Sequence, residues 1–224
     1  MAKILIVDDD PRIVQLLEDV LQRDYLTVFA HDGRGALHQL VAERPDLVLL
    51  DLRMPDMDGS VLLPRIRALS SVPIIVLSGR ADQSDRVPAL RHGADDFIAK
   101  PFELEDLLTR IATVLRRCAR VPVETGVITV GNLVISPVHG TVTVGGQPVQ
   151  VTPTEWRILT ALAIAQGETL SHANLSLAAY GYAAQAETQR AIYTHVLHLR
   201  LKLLTASPDA PRIMGLHRAG YMLA

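Results

Sequence analysis

Leu47-Val48-Leu49-Leu50-Asp51-Leu52-Arg53-Met54-Pro55 is the stretch on which the fold turns. Four apolar residues run without alternation and stop at an acid. Such a run reads as a strand buried on both faces, as in a parallel sheet. An acid at the C-terminal end of that strand sits where open α/β sheets place their chemistry.

Outward from this strand the same unit repeats. Lys3–Val7 reads as a strand ending in Asp8-Asp9-Asp10, and Pro11 opens a helix with Ile13, Leu16, Leu17, Val20 and Leu21 on one face. Strand Leu26–Ala30 and helix Gly35–Glu43 precede the central strand; a helix near Gly59–Leu69 follows it. Val72–Leu77 is a fourth strand, stopping at Ser78-Gly79. A short helix over Asp85–His92, strand Asp96–Ala99 with Lys100-Pro101 after it, and an amphipathic helix Glu103–Arg117 complete five β-α units. Alternation with short connections predicts a parallel sheet with helices on both faces. Asp8, Asp9, Asp51, Ser78 and Lys100 then share one edge. Clustered carboxylates raise one another's pKa unless a cation intervenes. Mg²⁺ suits them, since it takes oxygen ligands and keeps waters for a phosphate. Asp51 can act as nucleophile toward phosphorus, with Lys100 and Ser78 meeting the phosphoryl oxygens.

Composition sets the bounds. Apolar residues make up 49% of 224, enough for two aliphatic cores. The single cysteine, Cys118, excludes an intrachain disulfide. With no long apolar run and no signal-peptide pattern, a soluble cytoplasmic protein without membrane contact is expected. Residues 1–117 hold 15 Lys+Arg against 19 Asp+Glu, whereas residues 126–224 hold 6 against 4, so the halves suit different partners.

Ile4-Leu-Ile-Val-Asp-Asp-Asp, Leu49-Leu-Asp-Leu-Arg-Met-Pro-Asp-Met-Asp-Gly and Gly93-Ala-Asp-Asp-Phe-Ile-Ala-Lys-Pro-Phe resemble the receiver domain of two-component response regulators over residues 1–117. The resemblance implies a flavodoxin-like doubly wound sheet of order 2-1-3-4-5. It also implies Asp51 as phospho-acceptor from a sensor histidine kinase, and Mg²⁺ held by Asp9, Asp51 and the Arg53 backbone carbonyl, with Asp8 assisting through water. Ser78 and Phe97 take the switch positions, and Lys100-Pro101 the place of a cis peptide. Dimerisation is implied through the fourth helix, fifth strand and fifth helix, with Arg86–Asp106 and Asp96–Arg110 as cross-dimer pairs; Arg91 and Ala112 stand where a third pair is usual. Pro88 falls inside the fourth helix, where an interior proline costs about 3 kcal/mol. That helix is expected to start late, to be distorted or to be loosely held. Pro64 poses a milder problem in the third helix.

Residues 118–125 read as a linker. Beyond it, Val127–Val130, Leu133–Ser136, Thr141–Val144 and Val149–Val151 are short β pieces, with a hairpin turn at Gly145-Gly146. Thr152-Pro153-Thr154-Glu155 is a capping box opening a helix to Gly167. A second helix runs from Ser171 to Gly181 and a third from Gln185 to Leu204. Arg212–Met214 and Tyr221–Leu223 form a terminal hairpin around Gly220. Val151-Thr-Pro-Thr-Glu-Trp, Arg190-Ala-Ile-Tyr-Thr-His-Val-Leu-His-Leu-Arg-Leu-Lys-Leu and Ala219-Gly-Tyr resemble the α+β winged helix-turn-helix effector of OmpR/PhoB regulators over residues 126–224. The resemblance implies a third helix in the major groove, paired DNA half-sites, RNA polymerase as a partner, and contacts from Arg190, Thr194, His195, His198, Arg200, Lys202 and, on the wing, Arg218.

Leu197 and Leu201, and the few cations around them, depart from that pattern. The two leucines suit thymine methyls, a protein partner or burial. Few cations predict weak single-domain DNA binding with a shallow salt dependence. His195, His198 and His217 predict stronger binding below about pH 6.5. No carboxylate or cysteine accompanies these histidines, which argues against a metal site. Two rivals remain: an aspartate-nucleophile phosphatase, disfavoured because Arg53 stands two residues after Asp51, and a regulator whose effector works through protein contacts or without phosphorylation.

Overall fold

The computed structural model describes residues 1–79, 88–90, 92–119, 126–181, 186–216 and 219–224. The chain divides into two compact units, Met1–Arg116 and Arg117–Ala224.

In the first unit, β1 (Lys3–Val7), β2 (Leu26–Ala30), β3 (Leu47–Asp51), β4 (Ile74–Gly79) and β5 (Asp96–Lys100) form one parallel sheet of order β2-β1-β3-β4-β5. α1 (Pro11–Leu21) and α5 (Leu104–Ala119) cover one face. There Val14, Leu17, Leu21, Leu107, Ile111 and Val114 pack with Ile4, Ile6, Leu47, Leu49, Ile75 and Leu77. Side chains alternate along a strand, and the intervening Leu5, Val48, Leu50 and Val76 are equally buried. α2 (Gly33–Glu43) lies against β1, β2 and α3 (Gly59–Leu69). The uninterrupted apolar runs therefore follow from burial on both sides.

Asp10, Asp32 and Asp58 cap α1, α2 and α3, accepting from the backbone N–H of Arg12, Gly35 and Ser60. Pro64 is accommodated inside a continuous α3. The fourth helix, α4, is described over residues 88–90, where Pro88 O accepts from His92 N at 2.8 Å. The expected start of that helix lies outside the described residues.

In the second unit, β6 (Ile128–Val130), β7 (Leu133–Ser136), β8 (Thr141–Val144) and β9 (Gln147–Pro148) form an antiparallel meander. The last strand comes earlier than the expected Val149–Val151. Pro148 can close the ladder only at an edge, and Val149 adds one more bond, from its N–H to Val142 O at 2.8 Å. α6 (Pro153–Ile164) begins with the capping box, α7 (His172–Tyr180) is capped by Ser171, and α8 spans Ala186–Ala206. β10 (Ile213–Leu216) and β11 (Gly220–Leu223) make the terminal hairpin. Ile192, Val196, Leu199 and Leu203 all bury the expected face of α8. No helix among the described residues is long and apolar enough to cross a membrane.

Candidate functional site

Register builds the acidic pocket. Val7 pairs with Leu50, so Asp8 follows beside Asp51; Asp51 pairs with Leu77 and Gly79 with Lys100, which brings Ser78 and Lys100 to the same edge. A one-residue slip would send each side chain to the opposite face. Lys100 Nζ donates to Asp8 Oδ2 at 2.7 Å and to Asp51 Oδ2 at 2.9 Å. The other oxygens are held from the backbone: Asp8 Oδ1 accepts from Asp10 N at 3.0 Å, and Asp51 Oδ1 from Arg53 N at 3.2 Å. Asp8 is 1% exposed and Ser78 is fully buried, whereas Asp9 faces solvent. The Lys100-Pro101 bond is cis.

Burial pushes the Asp8 carboxyl above its usual range, against the opposing pull of its bond to Lys100. Burial also pulls Lys100 down, but its bonds to Asp8 and Asp51 outweigh this and the net shift is upward. Asp8, Asp9 and Asp51 each bring a ligand oxygen within 4.8 Å of the others. This oxygen-only set fits a hard dication such as Mg²⁺. A cleft of about 610 Å³ opens beside Asp9, bordered by Arg53, Met54, Pro88 and His92.

Gly59 holds the loop behind Asp51. Its N–H donates to Leu52 O at 2.7 Å, and a Cβ there would stand 2.6 Å from Leu52 Cα. Arg67, which the sequence did not single out, ties the far side of the sheet: it donates to Gly93 O, Val72 O and Asp95 Oδ2, while Asp95 Oδ2 also accepts from Ile74 N. Its only sequence signal is a basic residue in the last turn of a helix, which fits a solvated surface equally well.

The candidate contacts on α8 separate. Arg190 is exposed. Thr194 is buried and its hydroxyl donates back to Arg190 O at 3.3 Å. His195 is 0% exposed, with its ring 6.3 Å from that of Tyr180, so the expectation that it touches DNA is corrected: its position on the helix faces the core. His198 is partly exposed, with Nδ1 3.8 Å from Glu155 Oε1. Arg200 Nε donates to Ile213 O at 2.8 Å and its guanidinium lies 6.0 Å from the Tyr221 ring centroid. Lys202 Nζ donates to Glu155 Oε2. Tyr193, Leu197, Leu201 and Leu204 form an exposed stripe, so burial is eliminated for Leu197 and Leu201. His217 and Arg218 lie outside the described residues.

The response regulator receiver domain family matches residues 4–112, and the family described as transcriptional regulatory protein, C terminal, matches residues 146–223. The transcriptional regulatory protein KdpE of Staphylococcus aureus is 36% identical over 225 residues, covering 99% of this chain and 96% of its own. The chain belongs to the OmpR/PhoB family of response regulators. The regulator is also 40% identical to the transcriptional regulatory protein CseB of Streptomyces avermitilis, over 95% of each chain. A solved structure of a RitR mutant shares its fold, with a TM-score of 0.76 at 22% identity, covering 100% of this chain and 99% of that one.

The family's two-component regulators couple a receiver to a DNA-binding domain, and this regulator carries both. On the β5–α5 side of its receiver, Arg110 Nη1 donates to both Asp96 oxygens at 3.0 and 3.2 Å, and Arg110 Nε to Asp106 Oδ1 at 2.9 Å. Both acids are thus paired within one chain, and Arg86 lies outside the described residues. Phe97 is buried at 6% exposure. The ring at this switch position therefore already points inward.

Proposed function

We propose that this response regulator accepts a phosphoryl group on Asp51 from a sensor histidine kinase and controls transcription by binding paired DNA half-sites as a dimer. The observation that carries the phosphorylation reading is the pair of bonds from Lys100 Nζ to Asp8 Oδ2 and Asp51 Oδ2, which fixes one cation against two carboxylates from different strands. Asp51 attacks phosphorus, forming a P–O bond as the donor's P–N bond breaks and its electron pair returns to the imidazole. Lys100 then moves from carboxylate to phosphoryl oxygens, and the Ser78 hydroxyl meets another. Asp8, Asp9, Asp51 and the Arg53 carbonyl would hold Mg²⁺, which when bound neutralises charge on the transferring group.

The boundaries we assign are receiver 1–117, linker 118–125 and effector 126–224. Ser78 and Phe97 act as the switch pair and bias the face made by the fourth helix, β5 and α5, where two chains meet. Tethering two effectors raises their effective concentration at paired sites. Arg190 and His198 on α8, with Arg218 on the wing, are the remaining contact candidates, and RNA polymerase is the partner downstream.

Incubation of the full chain with Mg²⁺ and a phosphorylated histidine-kinase domain tests this. The wild type gains one hydroxylamine-sensitive phosphoryl group and Asp51→Asn gains none; equal labelling of both would sink the reading. A second reading, an effector acting through protein contacts, is favoured by the apolar stripe of Tyr193, Leu197, Leu201 and Leu204. Selection from a random DNA pool by the phosphorylated chain separates the two. Enriched repeated half-sites support the first, and a pool that stays random supports the second.

A further inference from the structure

We propose that Glu155, His195 and His198 form a binding site in the effector for a first-row transition-metal dication of the zinc type, distinct in place and chemistry from the oxygen-lined receiver pocket. Folding supplies what the sequence order hides. His195 and His198 are three residues apart on α8, and so share a face; Glu155 reaches them from the first turn of α6, forty residues earlier in the chain. One ligand atom from each lies within 4.8 Å of the other two. Donors around a tetrahedral zinc ion are about 3.4 Å apart, given bonds near 2.0–2.1 Å. Closing the site takes donor shifts of up to about 1.4 Å, within the reach of side-chain adjustment.

The two oxygens of Glu155 have separate duties. Oε2 accepts from Thr152 N at 2.8 Å and from Lys202 Nζ. Oε1 faces His198 Nδ1 at 3.8 Å. The carboxylate is thus oriented by two donors on one oxygen while the other is presented to His198, as outer groups orient ligands around bound metals. Glu155 and His195 are buried, which shields them from water, and the partly exposed His198 leaves an entry path. Two imidazoles and one carboxylate are the donor set of an open zinc site. They suit Zn²⁺, Co²⁺ or Ni²⁺ and disfavour Mg²⁺, which binds oxygen. The Lys202 ammonium opposes a second cation nearby and keeps the site weaker than a structural zinc centre. A bound ion would brace α8 against the first turn of α6.

Titration of the full chain, carrying Cys118→Ser and in excess Mg²⁺, with Zn²⁺ by calorimetry and with Co²⁺ by visible absorption is the test. One equivalent binds, and Co²⁺ gives the intense bands of a four-coordinate nitrogen–oxygen site. His198→Ala, at a partly exposed position, keeps the circular dichroism of the parent and loses at least about tenfold in affinity. Glu155→Gln, which can still close the capping box, loses a similar factor, whereas Lys202→Met tightens binding. Unchanged Zn²⁺ affinity in His198→Ala, or a Co²⁺ spectrum that does not depend on His198, would overturn the assignment.

Discussion

At the rim of the parallel sheet, Asp8, Asp51 and Lys100 arrive from three strand ends and point into one space. Along α8, Arg200 and Lys202 leave one helix and turn apart, the first to the Ile213 carbonyl and the second to Glu155. The elements explain the contrast. A strand offers two directions, and hydrogen-bond register chooses between them for all its residues together. A helix turns about 100° per residue, and long cationic side chains can bend toward either solvent or core. Residue type alone therefore locates a charge at a strand end better than on a helix face.

Removing Lys100 is the most severe test of the first region. Lys100→Met leaves two buried carboxylates facing one another and lowers metal-free stability by about 1–3 kcal/mol; denaturant unfolding with and without Mg²⁺ measures it, and Mg²⁺ recovers part of the loss. The bonds to Asp8 and Asp51 raise the Lys100 pKa above 10.5 in spite of burial. The stabilisation it brings is therefore complete below pH 10.5 and fades as pH rises through the higher folded value. The gap between wild type and Lys100→Met should be level from about pH 7 to 10 and narrow beyond. A gap that closes near neutrality would mean that another group carries the effect.

In the second region the largest single-residue effect is expected at Gly220. Its φ is +138°, and a Cβ would lie 1.9 Å from Leu170 O, at the bridge where Leu170 and Tyr221 exchange backbone bonds of 2.8 and 3.0 Å. Gly220→Ala forces the hairpin away from Leu170, just ahead of α7, and lowers stability by about 1–3 kcal/mol, read as a drop in Tm. The smallest effect bears most directly on the comparison. Arg190→Ala should reduce the slope of log affinity for DNA against log salt by about 1, and Lys202→Ala should leave it unchanged because that ammonium is already occupied. Equal slopes for both variants would show that Lys202 leaves Glu155 when DNA is present.

The five parallel strands and the meeting of Asp8, Asp51 and Lys100 at their ends were legible in apolar runs and β-α alternation, whereas the strand order rested on the resemblance to receiver domains and the caps Asp32 and Asp58 were not foreseen. Asp9 and Asp10 show the resolution of such reading. Adjacent and identical in type, one faces the cleft, while the other caps α1 and is held at a pKa of about 2 by the side-chain bond from Arg12. The Glu155–His195–His198 convergence escaped notice because its carboxylate comes from another helix, and the lone run of histidines argued the opposite. Arg67 was missed for the same reason, since its acceptors Gly93 and Asp95 lie in the segment that leads into β5.

Arg110 already grips Asp96 and Asp106 of its own chain. Should a second receiver dock on that surface, any ionic contact it offers must first dislodge a partner of equal quality. Swapping one carboxylate for another is nearly isoenergetic, so adhesion has to come from apolar area, and the charges act as a key that sets alignment. The ionic contacts of such an interface add little to its strength, a useful property for a signal that must be switched off.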